Sequence, residues 1–356
     1  MIRWVALALV PVGPILHALG VSPIWVFLTG ILGVGVLADW IRRATEQLAR
    51  HTGSALGGLL SVSLGSLAEL LLALFVLAGG AAEVVHAQIT GSIIGTSLLG
   101  LGLAIIAGGA GRDHQSFKRE RAGLLSSLLI LVVIALLLPA VFDLTARHVV
   151  HAGDVGDVGG SEERLSLIVS AVLLLLYLGN LVYTLVTHRD VFATGEADEE
   201  TDDAWPLWRC AAILAAATAA ATWESELISK ALADAARTLH LSPTFLGVIV
   251  LALVGNVADL VSAIWFARQG RLGLVMSICI GSSIQVALVV APLLVILSWL
   301  MGSPMTLVFT NPLDLFAIAG TAFIVNAITG DGETTWFEGV LLVGVYCLLG
   351  TAFFFA

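Results

Sequence analysis

The sequence predicts an all-α polytopic membrane protein: eleven transmembrane helices, with one extra N-terminal helix ahead of two inverted five-helix repeats. Three observations lead there. The 356 residues are 58% hydrophobic and 12% charged, with a mean hydropathy of +1.01. A soluble domain carries roughly twice that charge. The apolar runs reach the length of about 20 residues that crosses a hydrocarbon core as helix. They lack the period-2 alternation of barrel strands, and lipid leaves the backbone no other satisfied geometry. Finally, one polar stretch occurs twice at a constant spacing.

The first copy is Gly65-Ser66-Leu67-Ala68-Glu69 and the second Gly255-Asn256-Val257-Ala258-Asp259. Each places an acid inside a long apolar segment, where an ionised carboxylate is costly and points to function. About one span later come Gly91-Ser92-Ile93-Ile94 and Gly281-Ser282-Ser283-Ile284. The offset is 190 residues for the glycines, the acids and the Gly-Ser pairs alike. Two separated motifs sharing one offset indicate internal duplication.

In order, the spans fall at roughly 3–20, 23–48, 54–79, 84–110, 119–141, 164–188, 206–238, 242–268, 271–300, 312–329 and 336–355. The start, Met1-Ile2-Arg3 and an apolar run, reads as an uncleaved first span, since no small-x-small site follows cleanly. A cytoplasmic N-terminus puts twelve of the sixteen Lys and Arg residues inside, which is the expected bias. An odd span count then leaves the C-terminus outside. The motif acids fall on the third and eighth spans, five apart, so their copies run in opposite directions. Inverted repeats with a site at the midplane characterise secondary transporters. The expected organisation is a first helix over 1–20, a repeat over 21–189, an acidic linker over 190–205 and a second repeat over 206–356.

The second and seventh spans carry charges in i,i+4 register: Asp39–Arg43, Arg42–Glu46, Glu46–Arg50, Glu226–Lys230 and Lys230–Asp234. The ordinary reading is compensated ladders at helix ends. The functional one has Asp39, Glu46 and Glu226 lining a wet access funnel. Glu224 and Glu226 stand about 200° apart on a helix, so at most one faces it. The run Gly195–Asp203 reads as a solvated linker or a cation-attracting segment. Residues 147–164, with His148, His151, Asp154, Asp157, Glu162 and Glu163, match neither calcium-loop nor zinc spacing and read as an ordinary loop. Cys210, Cys279 and Cys347 read as small buried hydrophobes rather than disulfide partners.

Glu69 and Asp259 offer two hard carboxylates, expected as the metal ligands. Ser66 and Asn256 lie three residues earlier, close to the same helical face. Ser92, Thr96, Ser282, Ser283 and Gln285 add neutral oxygens from the matched spans. Such a set suits Ca²⁺, Na⁺ or Mn²⁺ better than a soft metal. Burial and a neighbouring acid favour the protonated form, while a bound cation favours the charged one. The pair therefore holds protons or a cation, with coupled titration. Two protons leaving as one divalent cation enters would keep the site's charge unchanged.

On these motifs the chain resembles the Ca²⁺/H⁺ antiporters of the cation/Ca²⁺ exchanger superfamily, whose repeats carry Gly-Asn-x-x-Glu followed by Gly-Ser-Ile or Gly-Ser-Ser-Ile-Gln. The second half is the nearer match: Gly247-Val248-Ile249-Val250, Gly255–Asp259, Gly281–Leu288, Ala291-Pro292-Leu293-Leu294, Pro304-Met305-Thr306-Leu307, Asp331-Gly332 and Trp336-Phe337-Glu338-Gly339. In the first half, Ala44-Thr45-Glu46, Gly57-Gly58-Leu59-Leu60 and Glu69 also fit. The resemblance implies eleven spans, with Ca²⁺ moved from the cytosol against protons by alternating access. It implies Glu69 and Asp259 as central ligands and proton carriers, with Ser66, Asn256, Ser92, Thr96, Ser282 and Gln285 around them. Four positions depart from the pattern. Ser66 and Thr96 stand where the family has Asn, Asp259 where it has Glu, and Leu260 where it has His.

The alternative within this fold is exchange of Na⁺, K⁺ or Mn²⁺ for protons, and a remoter one is a non-transporting sensor or channel. An enzyme is not expected: there is no His-Glu-x-x-His motif, and Gly330-Asp331 lies in a polar loop. No cofactor is expected beyond the transported ions. The expected partners are Ca²⁺ or another cation, protons and membrane lipid. No basic patch suggests nucleic acid, and a homo-oligomer stays open. Compact length and a preference for Arg over Lys suggest a prokaryotic inner membrane.

Overall fold

A computed structural model describes residues 6–112, 114–150, 158–183 and 205–356. The acidic run 195–203 lies outside the described residues. The chain forms two compact units. Unit 1 comprises Met1–Gly79 and Leu176–His240, and unit 2 comprises Gly80–Leu175 and Leu241–Ala356. Each unit thus draws on both halves of the sequence.

In unit 1 a short helix α1 (Val12–Ala18) leads into α2 (Pro23–Gly65) and α3 (Leu67–Ala78). A gap between helices near residues 49–53 was the expectation. Instead α2 runs through it, because no proline follows Pro23 before Pro139 to stop the helix. The interruption falls at Ser66. Helices α2, α3 and α7 (Leu207–Leu239) pack around Leu37, Ala38, Trp40 and Ile41 from α2, Ala68 from α3, and Ala217 and Ala221 from α7. Trp205, just ahead of α7, stacks on Trp40 at 6.2 Å and receives the Arg209 guanidinium at 4.9 Å. Ser229 Oγ donates to Phe75 O at 2.9 Å, tying α7 to α3. The helix α6 (Val158–Val182) ends in this unit.

Unit 2 holds α4 (Ala82–Gly109), α5 (Arg119–Val150), most of α6, α8 (Pro243–Gly255), α9 (Val257–Arg268), α10 (Leu272–Leu300), α11 (Pro312–Thr329) and α12 (Trp336–Phe355). The helix starts are written locally. Ser242 Oγ accepts from Phe245 N ahead of Pro243, and Asn311 Oδ1 accepts from Leu313 N ahead of Pro312. Glu338 closes a capping box with Thr335, accepting from its backbone N–H at 2.8 Å. The strands among the described residues are a single pair of two residues each, β1 (Gln115–Ser116) and β2 (Glu333–Thr334), joined antiparallel. Gly91 and Gly247 let α4 and α8 touch backbone to backbone. A methyl group at Gly91 would strike Val248 O, and one at Gly247 would come within 2.6 Å of Val84 O.

Parts of the stretch expected as loop between 147 and 164 are helical, since α5 continues to Val150 and α6 begins at Val158. Cys210 and Cys279 are buried as expected, but Cys347 is exposed on the outer face of α12. Its neighbours there, Leu341, Leu348 and Phe355, are exposed too, as are Ile134, Leu138, Ile168 and Leu175 on α5 and α6. Unpaired apolar faces of this extent fit lipid rather than water. Seven helices among the described residues are long and apolar enough to cross a membrane. The protein is an integral membrane protein of mostly helical structure. Four expected spans are missing from the seven: the motifs break two of them at Ser66 and Asn256, the first is the short helix Leu7–Ala18, and Leu207–Leu239 qualifies only together with Pro243–Gly255, to which it is bent by 119°.

Candidate cation and proton site

The duplicated motif is a duplicated helix break. Ser66 has φ −93° and ψ 14°, and Asn256 has φ −105° and ψ 8°. Both lie near the bridge region, outside regular helix. A new helix starts after each, twelve residues long in both cases. Glu69 and Asp259 each stand third in that new helix, where free N–H groups and the helix dipole favour negative charge. The cost of an acid in the middle of an apolar segment is thereby reduced by the backbone itself.

The correspondence continues at the 190-residue offset. Gly80 and Gly270 both have positive φ, 84° and 77°. Ala82 and Leu272 both begin helices. Those helices each open into a π turn, at Gly95–Gly100 and at Val286–Val290. Such widened turns recur at functional sites because they re-aim side chains within a helix.

Within unit 2 the second motif meets both Gly-Ser stretches. Ser282 Oγ donates to Asp259 Oδ2 at 2.8 Å and lies 3.4 Å from Asn256 Oδ1. Asn256 Nδ2 donates to Ser92 Oγ at 3.1 Å and to Ala252 O at 2.8 Å, a carbonyl one turn before the break. Beside them, Ser283 Oγ contacts Thr96 Oγ1 at 2.7 Å and Ser97 Oγ at 2.6 Å, while Thr96 donates to Ser92 O at 2.7 Å. One hydrogen per hydroxyl allows the order Ser97 to Ser283 to Thr96 to the Ser92 carbonyl. Ser92, Thr96, Ser97, Asn256, Ser282 and Ser283 are all buried, and Asp259 is half-buried.

Of the expected residues, the structure therefore brings together Asp259, Asn256, Ser92, Thr96, Ser282 and Ser283. Gln285 stands half-buried where α10 opens into its π turn. Glu69, buried, and Ser66, half-buried, form the corresponding break in unit 1. Ser97 was missed. It has no polar counterpart at the 190-residue offset, where Ala287 stands, and it meets Ser283 from within the π turn. The donors are oxygens throughout, with one carboxylate and several neutral groups, which suits a hard cation. Among the described residues no three His, Cys, Asp or Glu side chains gather at one point.

Among the described residues two of the expected charge pairs form, Asp39–Arg43 and Glu226–Lys230, while Lys230 does not pair with Asp234. Asp39 accepts from Arg43 at 2.8 Å and from Arg42 at 3.2 Å, and Glu226 accepts from Lys230 at 2.6 Å. The Glu46 side chain lies outside the described set. Glu226 is well exposed, whereas Glu224 is buried inside unit 1.

The sequence profile of the sodium/calcium exchanger protein family matches residues 22–186 and 210–355. The chain belongs to that family. A Ca²⁺/H⁺ antiporter of Aphanothece halophytica is 37% identical over 98% of this chain and 95% of its own. The Ca²⁺/H⁺ antiporter ChaA of Bacillus subtilis is 35% identical over 89% of this chain and 88% of its own. Among solved structures, native YfkE superposes with a TM-score of 0.84 at 31% identity, covering both chains in full. The H⁺/Ca²⁺ exchanger CAX gives a TM-score of 0.72 at 16% identity over 99% of this chain and 91% of its own, a likeness of fold.

Proposed function

We propose that this protein exchanges Ca²⁺ for H⁺ by alternating access and exports Ca²⁺ from the cytosol. The observation that carries the reading is the paired break: two half-helices, each beginning two residues ahead of an acid, one of which accepts from the Ser282 hydroxyl beside the Asn256–Ser92 hydrogen bond. The Ca²⁺/H⁺ antiport of relatives aligned along nearly the whole chain supports it. Glu69 and Asp259 are the exchanging carboxylates, each taking a proton when the cation leaves. Ser66, Asn256, Ser92, Thr96, Ser282, Ser283 and Gln285 supply neutral oxygens or hold them in place. Asp39, Glu46 and Glu226 line the aqueous approach.

In this reading eleven spans cross the membrane, one N-terminal and then two inverted groups of five over 21–189 and 206–356. The N-terminus is cytoplasmic, the C-terminus outside, and the membrane a prokaryotic inner membrane. The two matched breaks and matched π turns support the duplication.

A second reading keeps the antiport and changes the cation to Na⁺, K⁺ or Mn²⁺. It is favoured by Asp259, one methylene shorter than the family's Glu, and by Thr96, whose hydroxyl is engaged with Ser92 O and Ser283 rather than offering an amide oxygen. Radioactive Ca²⁺ uptake by everted vesicles under an imposed proton gradient tests the first reading. Uptake that collapses with a protonophore supports it; uptake of another cation with none of Ca²⁺ transfers support to the second.

A further inference from the structure

Glu224 takes no part in the site described above. It lies near the middle of α7, is 1% exposed, and neither carboxyl oxygen has a hydrogen-bond partner. Three glycines from two other helices of unit 1 enclose it. A methyl group at Gly13 on α1 would stand 2.8 Å from Oε2 and 3.4 Å from Oε1. At Gly30 on α2 it would stand 3.2 Å from Oε2, and at Gly33 3.3 Å from Oε1. Only residues without side chains admit the carboxyl between these helices.

The charged and titratable groups on the surrounding helices are engaged elsewhere or turned away. Asp39 on α2 is held by Arg42 and Arg43, and Glu226 on α7 by Lys230. His17 on α1 is exposed. Neither these nor Glu69 on α3 hydrogen-bonds or pairs with Glu224. An ionised carboxylate in this socket would have neither a donor nor a counter-charge. Intramembrane acids that persist at such cost mark functional sites.

We propose that Glu224 is a proton-binding site separate from Glu69 and Asp259, and that its neutral form holds α1 against α2 and α7. Losing the proton creates a charge that the glycine socket cannot solvate, so water must enter and α1 must part from its neighbours. The bound proton is thus a latch on the N-terminal helix.

The test uses full-length protein in lipid vesicles with Glu69→Gln and Asp259→Asn already present, so its outcome does not depend on exchange. Infrared difference spectra between neutral and alkaline pH should show loss of a neutral-carboxyl carbonyl band. Adding Glu224→Gln, which keeps the shape and removes the titration, should abolish that band. Glu224→Asp draws the carboxyl back from the glycines and should move its loss to lower pH. A second readout is the distance between spin labels at Ile15 and Trp223, both exposed, with Cys347→Ser to avoid stray labelling. It should lengthen over the same pH interval with Glu224 and stay short with Gln. A band untouched by both Glu224 variants, or a label distance independent of pH with Glu224 present, overturns the proposal.

Discussion

Ser282 Oγ donates to Asp259 Oδ2 across 2.8 Å, joining the acid of one duplicated stretch to the Gly-Ser of the other within unit 2. The bond aims the carboxylate and brings a hydroxyl oxygen alongside it. Hydrogen bonds to charged groups contribute about 1.5–3 kcal/mol. Ser282→Ala should therefore weaken cation binding at least about ten-fold, which is ~1.4 kcal/mol. Titration calorimetry of the purified protein checks this.

Thr96 and Asp259 bear on ion choice. If the short acid sets the preference, Asp259→Glu should move selectivity towards Ca²⁺ over Na⁺, K⁺ and Mn²⁺. Competition between the cations for proton-coupled flux measures it, and unchanged ratios would discard the idea.

The site was partly legible in the sequence because its polar residues recur at one offset. Ser66 and Asn256, Glu69 and Asp259, and Ser92 and Ser282 each occupy matched positions. What recurrence does not report is backbone conformation. Gly65, Gly255 and Gly95 stand at the breaks and the first π turn, and Pro292 just after the second, but glycines inside apolar runs do not by themselves tell a break or a widened turn from continuous helix. Ser97 went unnoticed because Ala287 stands at its matched position. Helix ends marked by residue type, such as Ser242-Pro243, Asn311-Pro312 and Thr335 with Glu338, fell close to their expected places. The expected break near residue 50 did not appear, since His51-Thr52-Gly53 lies in continuous helix. Glu224 was set beside Glu226 only by helical angle. Its glycine socket is assembled from residues about 200 positions away, beyond any local pattern.

Cation affinity should depend on pH with a definite sign. Protons and the cation compete for the same carboxylates, so lowering pH fills them with protons and weakens binding. Apparent affinity should rise with pH across the titration of the pair. Binding isotherms at several pH values check this, and Glu69→Gln should flatten the dependence.

The contact of α4 with α8 should tolerate no side chain. Gly247→Ala brings a methyl group to 2.6 Å from Val84 O, and Gly91→Ala meets Val248 O more closely still. Overpacking costs about 1–3 kcal/mol even where side chains yield, and here the obstacle is backbone. Both variants should lower the melting temperature in detergent, Gly91→Ala more than Gly247→Ala.

The most direct measurement is cation-driven proton movement in proteoliposomes, read by an internal pH dye as Ca²⁺ is added outside. The account predicts a saturable Ca²⁺ response that disappears in Glu69→Gln and in Asp259→Asn while both variants elute as folded protein. Proton movement at the normal rate in either variant would contradict the assignment of these two carboxylates. No proton movement with Ca²⁺ or any other cation, in vesicles shown to contain the folded protein, would contradict antiport itself.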